Sequence, residues 1–304
     1  METEFAIEIL CWNILVPAGI SVAVLFVSRL ILPTRYAVGI AFATAFMIGY
    51  GLLEWAKIVP ERHYQWLPWI PVLTLVPLAM SLAEKIGKAE RAISYTLPAA
   101  LTAFFIVPTW ERLNDVSPAV TGKFSVPVEW ELTTRWMYLI GVGITVWLLC
   151  SVLDLLASRM RPGWFVALFA ICIGGMAGAI MPLLSIKFGQ ILLCACGAAT
   201  GVGLLSLKSK DNNIGRAIAP HFAIVMSCGA FLAFVDPDPA QYAYLAPLAI
   251  PLVCVPFVVG PLARHAGIKL AVLQLLLAIT IIGGSGWWIH SQNQTTDEYG
   301  DYGY

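Results

Sequence analysis

Ionisable side chains inside long apolar stretches are the first candidates for chemistry, because a charge in hydrocarbon is costly and is kept mainly for function. Asp154 lies about one helical turn inside the end of the apolar stretch 134–157. Its carboxylate can bind a cation or relay a proton there. It can also pair with Arg159 or Arg161 at the membrane boundary, and we expect this pairing. No acid lies deeper in an apolar stretch, which argues against a proton pump.

Prolines interrupt two apolar stretches at similar places. Tyr95-x-x-Pro98 opens one stretch, and Tyr244-x-x-Pro247 opens another. An interior proline removes a backbone hydrogen bond, so the freed carbonyl needs another partner in lipid. Broken helices in matching positions indicate a transport site, while bending for packing alone is the alternative. We expect the following residues to bind a substrate: Tyr95, Pro98, Tyr244, Pro247, Pro251 and Asp154.

Glycines are frequent in several of the apolar stretches and permit close contact between helices. Two pairs, Gly174-x-x-x-Gly178 and Gly197-x-x-x-Gly201, have the spacing of small residues at helix interfaces. We predict helix packing within the chain, with homodimerisation as the alternative. The predicted packing glycines are Gly49, Gly51, Gly174, Gly178, Gly197, Gly201 and Gly203.

Other kinds of chemistry leave no pattern in the sequence. The four histidines, His63, His221, His265 and His290, show no ligand spacing, so we expect no metal site, no haem and no other cofactor. No catalytic motif occurs in the loops, so a membrane enzyme is only the third hypothesis, after a permease and a non-transporting subunit. No basic patch with interleaved aromatic residues occurs, which excludes nucleic acid as a partner.

Composition places these residues in a membrane. Hydrophobic residues make up 59% of the 304 residues, charged residues 12%, and the mean hydropathy is +0.81. Long apolar runs predict a single all-α membrane domain over 1–304, with about ten transmembrane helices. The predicted spans are 10–32, 36–54, 66–83, 92–109, 134–157, 163–184, 188–207, 217–235, 242–262 and 268–289. The lipid bilayer is therefore the first predicted partner.

The distribution of lysine and arginine predicts the orientation. Twelve of the 18 basic residues lie near the loops that follow the odd-numbered spans, and the positive-inside rule places those loops in the cytoplasm. With ten spans, both termini are then non-cytoplasmic, in a plasma or inner membrane. The acidic, tyrosine-rich tail 291–304 and the loop 110–133 are expected to be exposed.

Similar short motifs recur in the two halves of the chain at nearly constant spacing. Ile31-Leu32-Pro33 matches Ile180-Met181-Pro182, and Gly49-Tyr50-Gly51 matches Gly201-Val202-Gly203. Together with the Tyr-x-x-Pro motifs, these matches predict repeat units over 9–157 and 163–290. Five spans per unit is an odd number, so the second unit would be inverted, as in many secondary transporters. Chance similarity in a biased composition is the alternative.

In length and repeat period the chain resembles the drug/metabolite transporter superfamily. Its predicted non-cytoplasmic termini differ from the usual orientation there, and none of that superfamily's signatures occurs, so no membership follows. The leading hypothesis is a permease for a small neutral or amphipathic substrate. The rival hypothesis is a non-transporting membrane subunit or scaffold, with the tail and the loop 110–133 docking other membrane proteins.

Overall fold

The computed structural model describes residues 7–53, 60, 63–76, 78, 87–107, 132–180, 186–235, 241–259, 263 and 268–300. The described chain is helical, and no described residue belongs to a strand. The predicted all-α class is therefore confirmed for this part of the chain. Nearly all of the predicted loop 110–133 lies outside the described residues, as do the last residues of the tail, 301–304.

Eleven helices follow one another along the described residues. They are α1 Ile7–Arg29, α2 Thr34–Leu53, α3 Trp69–Leu73, α4 Lys88–Ser94, α5 Thr96–Ile106, α6 Leu132–Arg159, α7 Pro162–Ile180, α8 Ile186–Ser206, α9 Asn213–Val235, α10 Ala249–Val258 and α11 Ile268–Gly300. Short 3₁₀ segments cover His63–Trp66 and Gln241–Leu248. Seven of these helices, α1, α2, α6, α7, α8, α9 and α11, are long and apolar enough to cross a membrane.

The other three predicted spans fall on shorter helices. Span 92–109 contains the end of α4 and all of α5, with a break at Tyr95. Span 242–262 consists of the 3₁₀ segment followed by α10. Span 66–83 contains α3, and part of it lies outside the described residues. The structure thus has the helices of a multi-pass membrane protein, while ten spans remain a prediction.

Helix α9 lies at the centre of the bundle. It contacts α2, α5, α6, α7 and the segment Gln241–Leu248, and 83% of its apolar window is buried, against 17% for α11. Aromatic rings from three helices meet around it: Phe42 of α2, Phe165 and Phe169 of α7, and Phe222 of α9, with centroids 4.9 to 6.2 Å apart. A helix that is apolar on all sides is suited to this central position.

Glycines bring α1, α2 and α8 into close contact. A Cβ atom on Gly197 would lie 2.5 Å from the carbonyl oxygen of Ile14, and one on Gly201 would overlap the carbonyl oxygen of Ala18. On α2, a Cβ on Gly49 would lie 2.8 Å from the ring of Pro17. Because the first two neighbours are backbone atoms, α1 would have to move away from α8 to admit a side chain.

The remaining predicted packing glycines differ from one another. A Cβ on Gly174 would lie 3.2 Å from the sulfur of Cys196, and one on Gly203 would lie 3.2 Å from Val166. Around Gly51 and Gly178, by contrast, no neighbouring atom lies within 4 Å of a Cβ. Glycine is therefore a steric requirement at some of these positions and not at others.

Gly201→Ala should lower stability, because the new methyl group meets the backbone of α1, and overpacking of this kind costs about 1–3 kcal/mol. The matched control is Gly178→Ala, which has open space and should leave stability unchanged or raise it, since alanine favours a helix by about 1 kcal/mol. Thermal unfolding of the purified protein in detergent measures both. Equal effects of the two substitutions would contradict the proposed contact.

Candidate functional site

A cluster of charged side chains in the described part of the chain is built around Asp154 near the end of α6. Arg216, in the first turns of α9, donates two hydrogen bonds to it: Nε to Oδ1 at 2.9 Å and Nη2 to Oδ2 at 3.2 Å. The side chains of Asp154 and Arg216 are 15% and 22% exposed. A two-point pair of this kind fixes the direction of both side chains, and it ties α6 to α9.

Two residues next to the break between α4 and α5 reach the same carboxylate. Nη1 of Arg91 lies 3.8 Å from Oδ2 of Asp154, and the Tyr95 side chain also interacts with this carboxylate. Tyr95 is 1% exposed and is the single residue between α4 and α5. We call Arg91, Tyr95, Asp154 and Arg216 the Asp154 cluster; it joins α4, α5, α6 and α9.

The break at Tyr95 has a local cause. Pro98 has no N–H with which to complete a helical hydrogen bond to the carbonyl of Ser94, and α4 ends at Ser94. One nearby carbonyl receives a partner from α6, because Nε1 of Trp147 donates to the oxygen of Ala92 at 2.8 Å. Trp147 and Asp154 are seven residues apart and so lie on one side of α6. That side of α6 holds the interrupted helix.

The expected partners of Asp154 are wrong. The structure pairs it with Arg216 and Arg91 instead of Arg159 or Arg161. Arg159 lies five residues further along α6, and at 100° per residue its side chain leaves the helix in a different direction. Arg161 lies beyond the end of the helix. Closeness in sequence indicated the local arginines, whereas the actual partners come from other helices.

The predicted substrate-binding residues fall into two groups. Asp154 and Tyr95 are in contact, and Pro98 is buried one turn further along α5. Tyr244 and Pro247 lie elsewhere, beside Ala179 near the end of α7. Ala179 is about 25 Å along α7 from its first residue, at about 1.5 Å per residue.

The predicted site therefore combined residues from two opposite ends of the bundle. We call the end at which α6 finishes and α7 begins the basic end, after the exposed Arg159, Arg161, Lys208 and Lys210 around it; the opposite end is the far end. The Asp154 cluster lies toward the basic end, and Tyr244 lies at the far end. Pro251 is buried on α10, which packs against α6.

A small cavity adjoins Tyr244. Its volume is about 10 Å³, and Met176, Ala179, Ala243, Tyr244, Pro247, Ser285 and Ile289 line it. This space suits about one water molecule. Cavities that bind small molecules are usually hundreds of Å³ in volume, so Tyr244 and Pro247 are closely packed in this conformation.

Sequence reasoning missed the buried amide of Asn13. Its side chain is 1% exposed, and neither its oxygen nor its nitrogen has a hydrogen-bond partner. Asn13 lies in the π-helical turn Cys11–Leu15, where the N–H of Val16 donates to the carbonyl of Cys11. The turn follows from Pro17, which cannot donate to the carbonyl of Asn13. A proline four residues after a polar residue was the available signal.

His221 is a second buried polar residue, at 1% exposure on α9. Its Nδ1 lies 3.2 Å from the carbonyl oxygen of Ala217, and its ring meets the edge of Phe42 at 5.4 Å. His265 lies outside the described residues. Among the residues that the structure describes, no group of three histidine, cysteine or acidic side chains is placed to hold a metal ion.

Comparison with known proteins finds no family model that matches this chain and no curated protein with a significant match.

Asp154→Asn should destabilise the bundle, because it leaves Arg216 and Arg91 without their carboxylate inside a membrane domain. Removing one partner of a buried pair costs about 3–5 kcal/mol, and the partial exposure of this pair reduces the cost to about 1–3 kcal/mol. Thermal unfolding in detergent measures the loss. Glu8→Gln is the control, since Glu8 is exposed at the start of α1.

A charge exchange separates this ion pair from simple packing. If the pair links α6 to α9, the double variant Asp154→Arg with Arg216→Asp should be more stable than either single variant. If the double variant loses as much stability as the two single variants lose together, direct coupling between these residues is ruled out.

Proposed function

We propose that the chain is a small-molecule permease made of two inverted five-span units, 9–157 and 163–290. The observation that carries this proposal is that the tyrosine and the proline of both Tyr-x-x-Pro motifs are buried. Tyr95 and Tyr244 are 1% and 4% exposed, and Pro98 and Pro247 are also buried. Tyr95 lies at the break between α4 and α5, and Tyr244 lies in a 3₁₀ segment that runs into α10. Irregular helices of this kind form binding sites in inverted-repeat transporters.

The helix contacts support the same proposal. In the first unit α1 packs on α2, and in the second unit α7 packs on α8. The segment of each unit that carries the Tyr-x-x-Pro motif contacts the long helix after it: α5 contacts α6, and Gln241–Leu248 with α10 contacts α11. The second helices of the two units, α2 and α8, contact each other. Equivalent neighbours in both halves are expected of a duplicated fold.

The positions of the two motifs fit an inverted duplication. Inversion places equivalent residues at opposite faces of the membrane. Tyr95 lies toward the basic end beside Asp154, whereas Tyr244 lies at the far end beside Ala179. In the proposed mechanism a substrate path runs between these ends. The Asp154 cluster closes the path at the basic end, and close packing around Tyr244 and Pro247 closes it at the far end.

Alternating access would then require the two closures to open in turn. Opening the basic end separates Arg216 on α9 from Asp154 on α6. The α4–α5 segment moves with this change, because Arg91 and Tyr95 contact the same carboxylate. The proposed orientation, with the basic end in the cytoplasm, follows from the positive-inside rule.

The chemistry of the cluster favours a small neutral or amphipathic substrate. Asp154 already carries a two-point hydrogen-bonded pair with Arg216 and lies near Arg91. A multiply charged substrate would have to break these contacts or add charge to a site that is mostly removed from water, and both cost free energy.

Uptake into proteoliposomes tests the proposal. Purified protein would be reconstituted and assayed with a panel of radiolabelled neutral, zwitterionic and anionic metabolites against empty liposomes. We expect saturable uptake of at least one neutral or amphipathic solute. Tyr95→Ala and Tyr244→Ala should each lower it by about tenfold, which corresponds to about 1.4 kcal/mol.

The matched control is Tyr242→Ala, because Tyr242 is close to Tyr244 in the chain but 71% exposed. It should transport at the wild-type rate. The permease proposal fails if no solute enters faster than into empty liposomes. It also fails if the Tyr95 and Tyr244 variants fold and behave like the Tyr242 variant.

A further inference from the structure

Two turns at the basic end are held together as one surface. The first turn joins α6 to α7, and the second joins α8 to α9. A Cβ on Gly163 would lie 2.7 Å from the Cα of Leu207, so the two backbones are in contact. Nδ2 of Asn212 also donates to the carbonyl of Ser158 at 3.1 Å. Residues of the two turns therefore keep fixed neighbours.

Four cationic side chains project from this surface. Arg159 and Arg161 come from the first turn, and Lys208 and Lys210 come from the second; all four are exposed. Within the described ranges, none of them forms an ion pair. We call these four residues the basic surface.

Asp211, the acid within the second turn, caps a helix and does not pair with the four cations. Oδ1 of Asp211 accepts a hydrogen bond from the N–H of Asn213 at 3.0 Å and so caps the start of α9. Arg216, the next basic residue in the chain, is committed to Asp154. The positive charge of the basic surface is thus not neutralised by these neighbours.

The basic surface lies at the ends of α6, α7, α8 and α9, which are all long and apolar enough to cross a membrane. Side chains at such helix ends lie at the level of the lipid headgroups. Apolar side chains continue the surface along α8 and just beyond it, where Leu204 is 58% and Leu207 65% exposed. Cations beside exposed apolar side chains match a lipid that has a negative headgroup and acyl chains.

We propose that the basic surface binds the phosphate of an anionic phospholipid, with the acyl chains against Leu204 and Leu207. Phosphate oxygens would accept hydrogen bonds from the two guanidinium groups, and the two ammonium groups would add charge attraction. This inference does not depend on the permease proposal, because it concerns only the outer surface of four helix ends.

Lipid retention tests the inference. The purified protein would be exchanged into vesicles of phosphatidylcholine with or without phosphatidylglycerol, extracted in mild detergent, and analysed by native mass spectrometry for bound lipid. We expect phosphatidylglycerol to be retained in preference to phosphatidylcholine. Replacing all four residues by glutamine should weaken this preference by well over tenfold, since each cation near an anionic surface contributes about fivefold.

Two further double variants distinguish binding at the basic surface from an effect of the total charge of the protein. Lys187→Gln with Arg135→Gln removes two basic residues from the starts of α8 and α6 at the far end, and it should leave retention unchanged. Arg161→Gln with Lys208→Gln removes the same charge from the basic surface and should reduce retention by at least tenfold. Equal losses from the two double variants would overturn the proposal.

The source of the phosphate is tested separately. Thermal unfolding would be measured with added phosphatidylglycerol and with inorganic phosphate. A larger rise in unfolding temperature with the lipid supports the proposal, and an equal rise with inorganic phosphate overturns it in favour of a free-anion site. If the glutamine variants unfold, the double variant Arg161→Lys with Lys208→Arg keeps the charge. This variant should retain the lipid, and loss of retention would contradict the proposal.

Discussion

Backbone hydrogen bonds that proline removes must be replaced by groups within the protein, because hydrocarbon supplies neither donors nor acceptors. This constraint governs the region around Tyr95. The helix is interrupted at Tyr95, three residues before Pro98, and the indole of Trp147 donates to a carbonyl beside the interruption. One turn of α4 also presents Arg91 to Asp154. The polar cluster and the interrupted helix thus form a single structural unit, and a change in one must affect the other.

The same constraint explains the first helix. Pro17 leaves the carbonyl of Asn13 without its helical donor, and the chain responds with a π-helical turn over Cys11–Leu15. This turn is packed against Gly197, where the absence of a side chain admits the backbone of α1. Close van der Waals packing is one of the main attractions between helices in lipid, since lipid chains are as apolar as the side chains and give no hydrophobic driving force. The proline and the glycines therefore act at one interface.

The sequence predicted elements well where a property accumulates over many residues. Long apolar runs such as 188–207 and 217–235 correspond to α8 and α9, because some twenty apolar residues leave few other conformations in a membrane protein. The prolines also indicated correctly that the helix is interrupted at Tyr95, whereas the segment around Tyr244 changes from 3₁₀ to α-helix without a break. These effects are local, so they can be read from the chain without knowing its neighbours.

The sequence was much less informative about pairs of residues from distant helices. Arg216 is 62 residues from Asp154, and no local pattern distinguishes it from Arg159. For the same reason the spacing of the two motifs does not show that Tyr95 and Tyr244 lie toward opposite ends of the bundle. Asn13 was overlooked because a single amide hardly changes the hydropathy of its span. The interaction partners of a side chain and its depth in the bundle depend on how the helices pack. Residue spacing along one helix does not determine this packing.

The central position of α9 has a consequence for the assembly of the protein. Its neighbours include α2, α5, α6 and α7, which precede it in the chain, and the segment Gln241–Leu248, which follows it. During synthesis the earlier helices enter the bilayer before α9. The faces that α9 later covers are therefore exposed at first. Glycine contacts between α1 and α2 and the turn between α6 and α7 can form before that point, whereas the aromatic contacts around Phe222 cannot. Consolidation of the bundle is thus a late event, and the earlier helices are exposed to lipid or to insertion factors until the last third of the chain emerges.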